Sequence, residues 1–248
     1  MNVAVANAGV DGQSSFGHIA NFKWWFPDIP GLAPEFILYY VGLNDYHRDG
    51  ADRFDKYVAE GVDASLGERI RDNSAIWHLG KTLQGMYKAM VVQKIGHQRV
   101  RFDQIKWVRD PLQANYDFMA PRLEAYAARL RLLADLTRQA GAVPIFVTQP
   151  SRHYRVLQGV LEGQADATLY DDRRMNGVDF RNAMRKMDGV MRAVAAEKGA
   201  VFVDLAGRTE WADADFYDLA HMTPQGAEKV GLFLYEALKD QVAPQRGR

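Results

Sequence analysis

Three short apolar runs constrain the fold of this chain more than any other feature. They lie at 36–41, 143–148 and 201–204, and each has the length of one strand. Runs that are apolar almost throughout, rather than alternating, are typical of parallel strands buried on both faces. Longer helical patterns at about 121–140 and 178–198 lie between the later runs. This alternation predicts a parallel sheet with helices on both faces, a three-layer, flavodoxin-like α/β/α domain.

The other predicted elements complete a single domain of 248 residues. The sequence predicts a short first strand at 3–7, helices at about 15–25, 74–94 and 224–241, an insertion with short helices at about 46–116, a polar loop at 150–177 and a frayed tail at 244–248.

Composition excludes several classes of protein. The formal net charge is zero, which argues against nucleic-acid binding, and there is no cysteine for a disulfide or a thiolate metal site. The six histidines show no metal-ligand spacing, so no metal site is expected. No apolar run approaches about 18 residues, so no membrane span is predicted, and the first residues lack the pattern of a signal peptide.

Polar residues follow the predicted strands at the points where these end. The turns contain Gly12, Asn44, Gln149 and a loop with Asp218 and His221. Right-handed crossovers put the carboxyl ends of all parallel strands at one edge of the sheet, and ligands bind at that edge. The topology therefore predicts that these residues lie close together.

The loop before the last helix has the spacing of a catalytic pair. Thr223 is a good N-cap and Pro224 suits the first helical position. Just before them, Asp218 and His221 are three residues apart, so the carboxylate can accept a hydrogen bond from one ring nitrogen. The other nitrogen can then take a proton from a nucleophile. The alternative is a surface aspartate beside a histidine that caps the helix.

Three segments together resemble the SGNH (GDSL-type) hydrolases. Residues 7–12 (NAGVDG) resemble the family's second block, residues 42–45 (GLND) the third, and residues 218–221 (DLAH) the fifth. The segments occur in the family's order, each after a predicted strand or before a predicted helix, and the resemblance extends over most of the chain.

The resemblance implies ester hydrolysis through an acyl-enzyme, without a cofactor. His221 would act as general base and then general acid, and Asp218 would orient it. The Gly12 backbone and the Asn44 side chain would form the oxyanion hole. An ordinary turn glycine and a strand-end asparagine are the alternatives for these two residues. Asp45 is expected to be a structural partner of nearby backbone.

The block that carries the family's nucleophilic serine is not found in this sequence. We therefore expect a truncated form of such a hydrolase, in which the first strand is missing and the segment 3–7 lacks a neighbour. Ser14 and Ser15 are interpreted as helix caps. The possible substrate contacts are Ser14, Gln149 and Tyr154, and the expected substrate is a small-molecule or glycan ester.

Three alternatives stay open at the sequence level. The chain could be an inactive pseudoenzyme or a glycan- or ester-binding module, which keeps the site edge without a nucleophile. It could be an O-acyltransferase that passes the acyl group to a sugar hydroxyl. Finally, another serine could have been recruited as nucleophile, with Ser14, Ser15 and Ser151 as the candidates.

Overall fold

The structure is a computed structural model that describes residues 4–52, 55, 74–87 and 100–242. Its helices are α1 (Ser15–Trp24), α2 (Ala75–Tyr87), α3 (Ala120–Gln139), α4 (Gly177–Lys198), α5 (Leu205–Arg208) and α6 (Pro224–Val242). Its strands are β1 (Phe36–Tyr40), β2 (Trp107–Val108), β3 (Val143–Val147), β4 (Tyr154–Leu157), β5 (Val160–Gln164), β6 (Thr168–Tyr170), β7 (Arg173–Met175) and β8 (Val201–Val203).

The three apolar runs form one parallel sheet, as predicted. Its order is β1-β3-β8, with Leu38 opposite Ile145 and Phe146 opposite Phe202. Consecutive side chains on a strand point to opposite faces, so each strand contributes to two separate cores. Each strand therefore needs apolar side chains on both faces of the sheet.

Helices cover both faces of this sheet and confirm the three-layer α/β/α architecture. Tyr39 and Phe146 point into a large core with residues of α3 and α4, and α1 packs against the same core. On the other face, Ile145, Val147 and Val203 pack with α6, whose Leu238 is buried among them. The sheet is thus a middle layer, and its carboxyl edge lies between the two helical layers.

The predicted first strand is wrong for the part of it that the structure describes. Ala4 to Asn7 form no strand and are exposed, with 88% of Val5 accessible to solvent. A strand needs a neighbour for its backbone groups, and the described residues provide none beside this segment. Within the same described ranges, β1 pairs with β3 alone, so its other edge has no partner there.

The predicted polar loop at 150–177 is also wrong, because it contains two antiparallel hairpins. β4 pairs with β5, which also pairs with β2, and β6 pairs with β7. Gln158 and Gly159 join β4 to β5, with φ values of 51° and 80°. Two consecutive residues with positive φ are characteristic of a type I′ turn, which matches the twist of a hairpin.

Two predictions can be compared with the structure only in part. The helix predicted at 74–94 is observed as α2 up to Tyr87, and 88–94 lies outside the described residues. The predicted tail at 244–248 lies outside them as well. The helix predicted at 178–198 is confirmed as α4, which begins in a capping box at Asn176 and ends at Gly199 with φ 59°.

Candidate active site

The loop that carries Asp218 and His221 is closed by its own backbone. Phe216 and Met222 form an isolated antiparallel bridge, and the Tyr217 N–H donates to the carbonyl of His221 over 3.0 Å. Asp218 accepts hydrogen bonds from the N–H groups of Ala220 (2.8 Å) and His221 (2.7 Å). These bonds fix the position of the carboxylate before it contacts any side chain.

Asp218 and His221 are brought together as the sequence predicts. The Nδ1 atom of His221 lies 2.8 Å from Oδ2 of Asp218. Burial alone would raise the pKa of Asp218, but the two backbone N–H groups and the imidazole outweigh it and hold this pKa below its ordinary value. The ionised carboxylate favours the tautomer of His221 with its proton on Nδ1. In this tautomer the second ring nitrogen, Nε2, is unprotonated and can act as a base. The Tyr217 ring stacks on that of His221, with centroids 5.6 Å apart.

The start of α6 holds this loop against the domain. Thr223 caps the helix, accepting from the N–H of Gly226 at 3.2 Å, and Pro224 occupies the first position, as predicted. Gly226 is required here, because a Cβ atom would lie 2.1 Å from the carbonyl oxygen of Asp215. The close approach of backbone to backbone fixes the helix start, and through it the histidine.

The other predicted half of the site surrounds the turn at Gly12. The N–H of Gln13 donates to the carbonyl of Val10 over 3.1 Å, and Gly12 has a φ of 74°. A positive φ at the third position of such a turn favours glycine. The side-chain amide of Asn44 donates to the carbonyl of Gln13 over 3.0 Å, so the structure brings Asn44 to the Gly12 turn.

Asn44 is positioned by a buried hydrogen-bonded cluster that contains its neighbour Asp45. Asp45 accepts hydrogen bonds from the backbone N–H (3.2 Å) and the hydroxyl of Ser15, which confirms its predicted structural role. Arg129 of α3 donates from Nε to the Ser15 hydroxyl over 2.7 Å and from Nη2 to Asp45 over 3.2 Å. Burial raises the pKa of Asp45, and the donors from Ser15 and Arg129 oppose this rise. The cluster ties the segment 42–45 to α1 and α3.

Ser14 belongs to the scaffold of the same helix start. It is fully buried and caps α1, accepting from the N–H of Phe16, as the helix-cap interpretation predicts. Its own hydroxyl donates to Asp55 over 2.8 Å, and Asp55 also pairs with Arg48 at 2.7 Å. The Ser14 hydroxyl therefore lies inside the protein, away from the surface that a substrate would contact.

Gln149 and Arg152 connect the two halves of the site. Oε1 of Gln149 accepts from the N–H of Leu43 over 2.8 Å, which joins the end of β3 to the segment 42–45. The N–H of Arg152 donates to the carbonyl of Leu219 over 2.7 Å, which joins it to the histidine loop. Burial, with the carboxylates of Asp218 and Asp11, raises the pKa of Tyr217.

Three residues of the polar segment after β3 are partly or fully buried. Arg152 is 5% exposed and paired with Asp213. Ser151 is buried, with its hydroxyl 3.3 Å from Nδ1 of His153. Tyr154 is the first residue of β4, and the guanidinium of Arg181 lies over its ring, 5.0 Å from the ring centroid.

One cavity in the described part of the chain lies away from the pair Asp218 and His221, which we call the dyad. It measures about 380 Å³ and is lined by arginines of α4 together with Asp188 and Asp204. Burial and the charge of Asp204 raise the pKa of Asp188 to about 7. Within the described ranges, three or more histidine or acidic side chains nowhere gather in the manner of metal ligands. None of the described helices combines the length and hydropathy of a bilayer span.

Comparison with known proteins finds one solved structure that is similar to part of this chain, and it assigns no role to the residues of the site. No protein-family model matches the chain, and no curated protein matches it. A solved structure that is similar to part of the chain is that of a candidate SGNH hydrolase from Slackia heliotrinireducens, with 26% identity and a TM-score of 0.34. The similarity covers 48% of this chain and 58% of that protein. The chain thus spans little more than half the length of that relative.

Proposed function

We propose that this chain carries the acid–base and oxyanion groups of an ester hydrolase of the SGNH type. The observation that supports it most is the contact between His221 and the ionised Asp218, 2.8 Å long, in a loop connected to the segment that bears Asn44. The substrate class is a carboxylic ester of a small alcohol or of a glycan. Neither a metal nor an organic cofactor has a role in this reaction.

His221 takes the proton from the attacking hydroxyl and later gives it to the leaving alcohol. Asp218 keeps the proton of the neutral imidazole on Nδ1 and stabilises the imidazolium that forms. The carboxylate has the properties for this role, since its pKa is held low and its side chain is only 13% exposed.

Gly12 and Asn44 provide the donors for the oxyanion. An asparagine amide has two N–H bonds, and the bond to the carbonyl of Gln13 uses one of them. The second N–H is the proposed donor to the tetrahedral intermediate, together with the backbone N–H of Gly12. Since one N–H is held by protein, the other has a fixed direction before substrate binds, as preorganised stabilisation requires.

The nucleophile is proposed to come from a strand that pairs with the edge of β1 for which the described residues contain no partner. The hydroxyls of Ser14 and Ser15 are buried in hydrogen bonds with Asp55 and Asp45, and Ser151 is buried beside His153. None of the three suits a nucleophile. A parallel strand beside β1 would end at the same edge as the segment 42–45, so a serine after it would reach the dyad.

Replacement of Asn44 by alanine tests the oxyanion role. We expect kcat for a short acyl ester to fall about 10²- to 10³-fold, because one donor to the developing charge is lost. KM should change little, since the donor acts on the transition state more than on the bound ester. Steady-state kinetics with a p-nitrophenyl ester measures both. A loss confined to KM would remove Asn44 from the oxyanion hole and assign it to ground-state binding.

A further inference from the structure

One face of α4 carries three arginines and an aspartate. Arg181, Arg185, Asp188 and Arg192 follow one another at steps of three or four residues, the spacing that puts side chains on the same face of a helix. At 3.6 residues per turn, the four positions fall within an arc of about 60° around the helix axis. Together with Asp204, which follows β8, they line the cavity of about 380 Å³. The cavity therefore lies between α4 and the end of the last strand of the sheet.

Two of these arginines are oriented by aromatic rings. The guanidinium of Arg192 lies over the Phe202 ring, 4.8 Å from its centroid, and donates to Asp204 over 2.8 Å. The guanidinium of Arg181 lies over the Tyr154 ring, 5.0 Å from its centroid. A ring that stacks on a guanidinium orients it without using its N–H groups. The direction of these arginines is therefore fixed by the protein before a ligand binds.

The lining of the cavity carries an excess of positive charge. Asp204 accepts hydrogen bonds from Arg192 and from the N–H of Gly207 at 3.0 Å, so its charge is compensated within the protein. In the part of the chain that the structure describes, neither Arg181 nor Arg185 is paired with a carboxylate. Two guanidinium groups at the cavity can thus bind an anion without first breaking an ion pair there.

Asp188 is compatible with an anionic ligand beside it. Burial and the charge of Asp204 raise the pKa of Asp188 to about 7, although the three arginines oppose this rise. Near neutral pH, the carboxyl therefore carries its proton in a large fraction of the molecules. A protonated carboxyl donates a hydrogen bond to an anionic oxygen, whereas a carboxylate would repel it.

Gly189 keeps the cavity open. It lies in the interior of α4, where glycine is an unfavourable residue, and it belongs to the lining of the cavity. A Cβ atom added at Gly189 would have no neighbouring atom within 4 Å in the described structure. The space above this residue is thus free for a ligand, and a large side chain at this position would enter it.

We propose that this cavity binds a phosphate group, as the free anion or as part of a small phosphomonoester. A single arginine can engage both oxygens of a carboxylate, whereas a phosphate has enough oxygens for several arginines at once. The volume of about 380 Å³ falls within the range of about 300–1,000 Å³ that is usual for small-molecule sites, so there is room for a group attached to the phosphate. This inference does not depend on the proposed ester hydrolysis.

Isothermal titration calorimetry of the full chain tests the site with inorganic phosphate and with glucose 6-phosphate, and glucose serves as the uncharged comparison. We expect saturable binding of phosphate at one site and none of glucose. Tighter binding of glucose 6-phosphate than of inorganic phosphate would identify a phosphomonoester as the ligand, and equal or weaker binding would identify the free anion. If neither phosphate bound, or if glucose bound as tightly as its phosphate, the proposal would be overturned.

Two variants test whether the binding takes place in this cavity. Arg185→Met should weaken binding of the tighter phosphate at least tenfold, because it removes charge-assisted donors to the ligand. Gly189→Leu should abolish binding, because the leucine side chain occupies the space of the ligand. Its melting temperature should not fall, since leucine is the better helix former at an open position. Thermal unfolding followed by circular dichroism measures this.

Each variant has a matched control outside the cavity. Lys186→Met removes the same charge from an exposed position of α4, and Gly231→Leu makes the same change at an exposed glycine of α6. We expect both controls to bind phosphate like the natural protein. Weakening by Lys186→Met equal to that by Arg185→Met would show attraction by net charge alone and would contradict a defined site. Unchanged binding in the folded Gly189→Leu protein would contradict it as well.

Discussion

Alanine in place of His221 is expected to lower kcat/KM for a short acyl ester by about 10³-fold in the protein as it occurs in its source. The imidazole is the group proposed to accept the proton of the nucleophile, and the ionised Asp218 at 2.8 Å holds it in the required tautomer. Asp218→Asn should lower the rate in the same direction, because an amide leaves the tautomer unspecified. Hydrolysis of a p-nitrophenyl ester measures both variants.

The matched control for this experiment is His47→Ala. His47 is an exposed histidine whose ring lies 4.3 Å from that of Tyr46, and it has no proposed part in the reaction. We expect its loss to leave kcat/KM close to the natural value. If His221→Ala and His47→Ala retained the same activity, His221 would have no part in the reaction and the dyad would be a helix-capping feature only.

The second large effect concerns stability. We expect Arg129→Met to lower the free energy of unfolding by about 3–5 kcal/mol, the usual cost of removing one partner of a buried ion pair. Asp45 is fully buried, and without Arg129 it must stay an unpaired charge or take up a proton. Either result weakens the contact that holds the segment 42–45 on α1. Urea unfolding at neutral pH measures the change.

Arg131→Met, two positions along the same helix, provides the control. Arg131 pairs with Glu197 at 2.9 Å, but both side chains are more than 40% exposed. An exposed pair contributes about 0–1 kcal/mol, so its loss should hardly change the unfolding midpoint. Equal destabilisation by the two variants would contradict the structural role of the buried cluster. Partial recovery in Arg129→Met/Asp45→Asn would support it, since no charge then remains unpaired.

The parts of the fold that could be predicted are those encoded locally. A run such as 143–148 is typical of a strand with two buried faces, and Thr223 and Pro224 favour a helix start. The dyad follows from such a signal, because Asp218 and His221 share one short loop. The meeting of Asn44 with the Gly12 turn was predicted from a strand at 3–7, but residues 4–7 form no strand. The hydrogen bond from the Asn44 amide to the carbonyl of Gln13 brings the two segments together instead.

The parts that could not be predicted depend on contacts between distant residues. Arg129 lies 84 positions from Asp45, and nothing in the sequence of α3 indicates that this arginine, unlike Arg131, points inward. Arg152 belongs to the polar segment 150–177, yet its side chain is buried and paired with the partly exposed Asp213. Long-range ion pairs of this kind leave no periodic signal.

The sequence contains a turn signal for the hairpin between β4 and β5, but the charged residues of the two strands interrupt the apolar pattern that would have indicated strands. Gln158-Gly159 lies between two short segments of strand length, and a glycine in a two-residue turn is a hairpin marker. Arg155 and Glu162 interrupt the apolar pattern, although they pair with each other across the strands at 2.9 Å. The segment 4–7 illustrates the reverse, since its composition suits a strand while the described residues contain no strand beside it.

Labelling by a fluorophosphonate probe tests the central claim most directly. The probe reacts with an activated serine, and peptide mapping of the labelled protein from its source identifies that serine. We expect one labelled serine other than Ser14, Ser15 and Ser151, and no label in His221→Ala, because the imidazole activates the hydroxyl. Label on one of those three serines, label that persists without His221, or no label on the natural protein would contradict the proposed hydrolase.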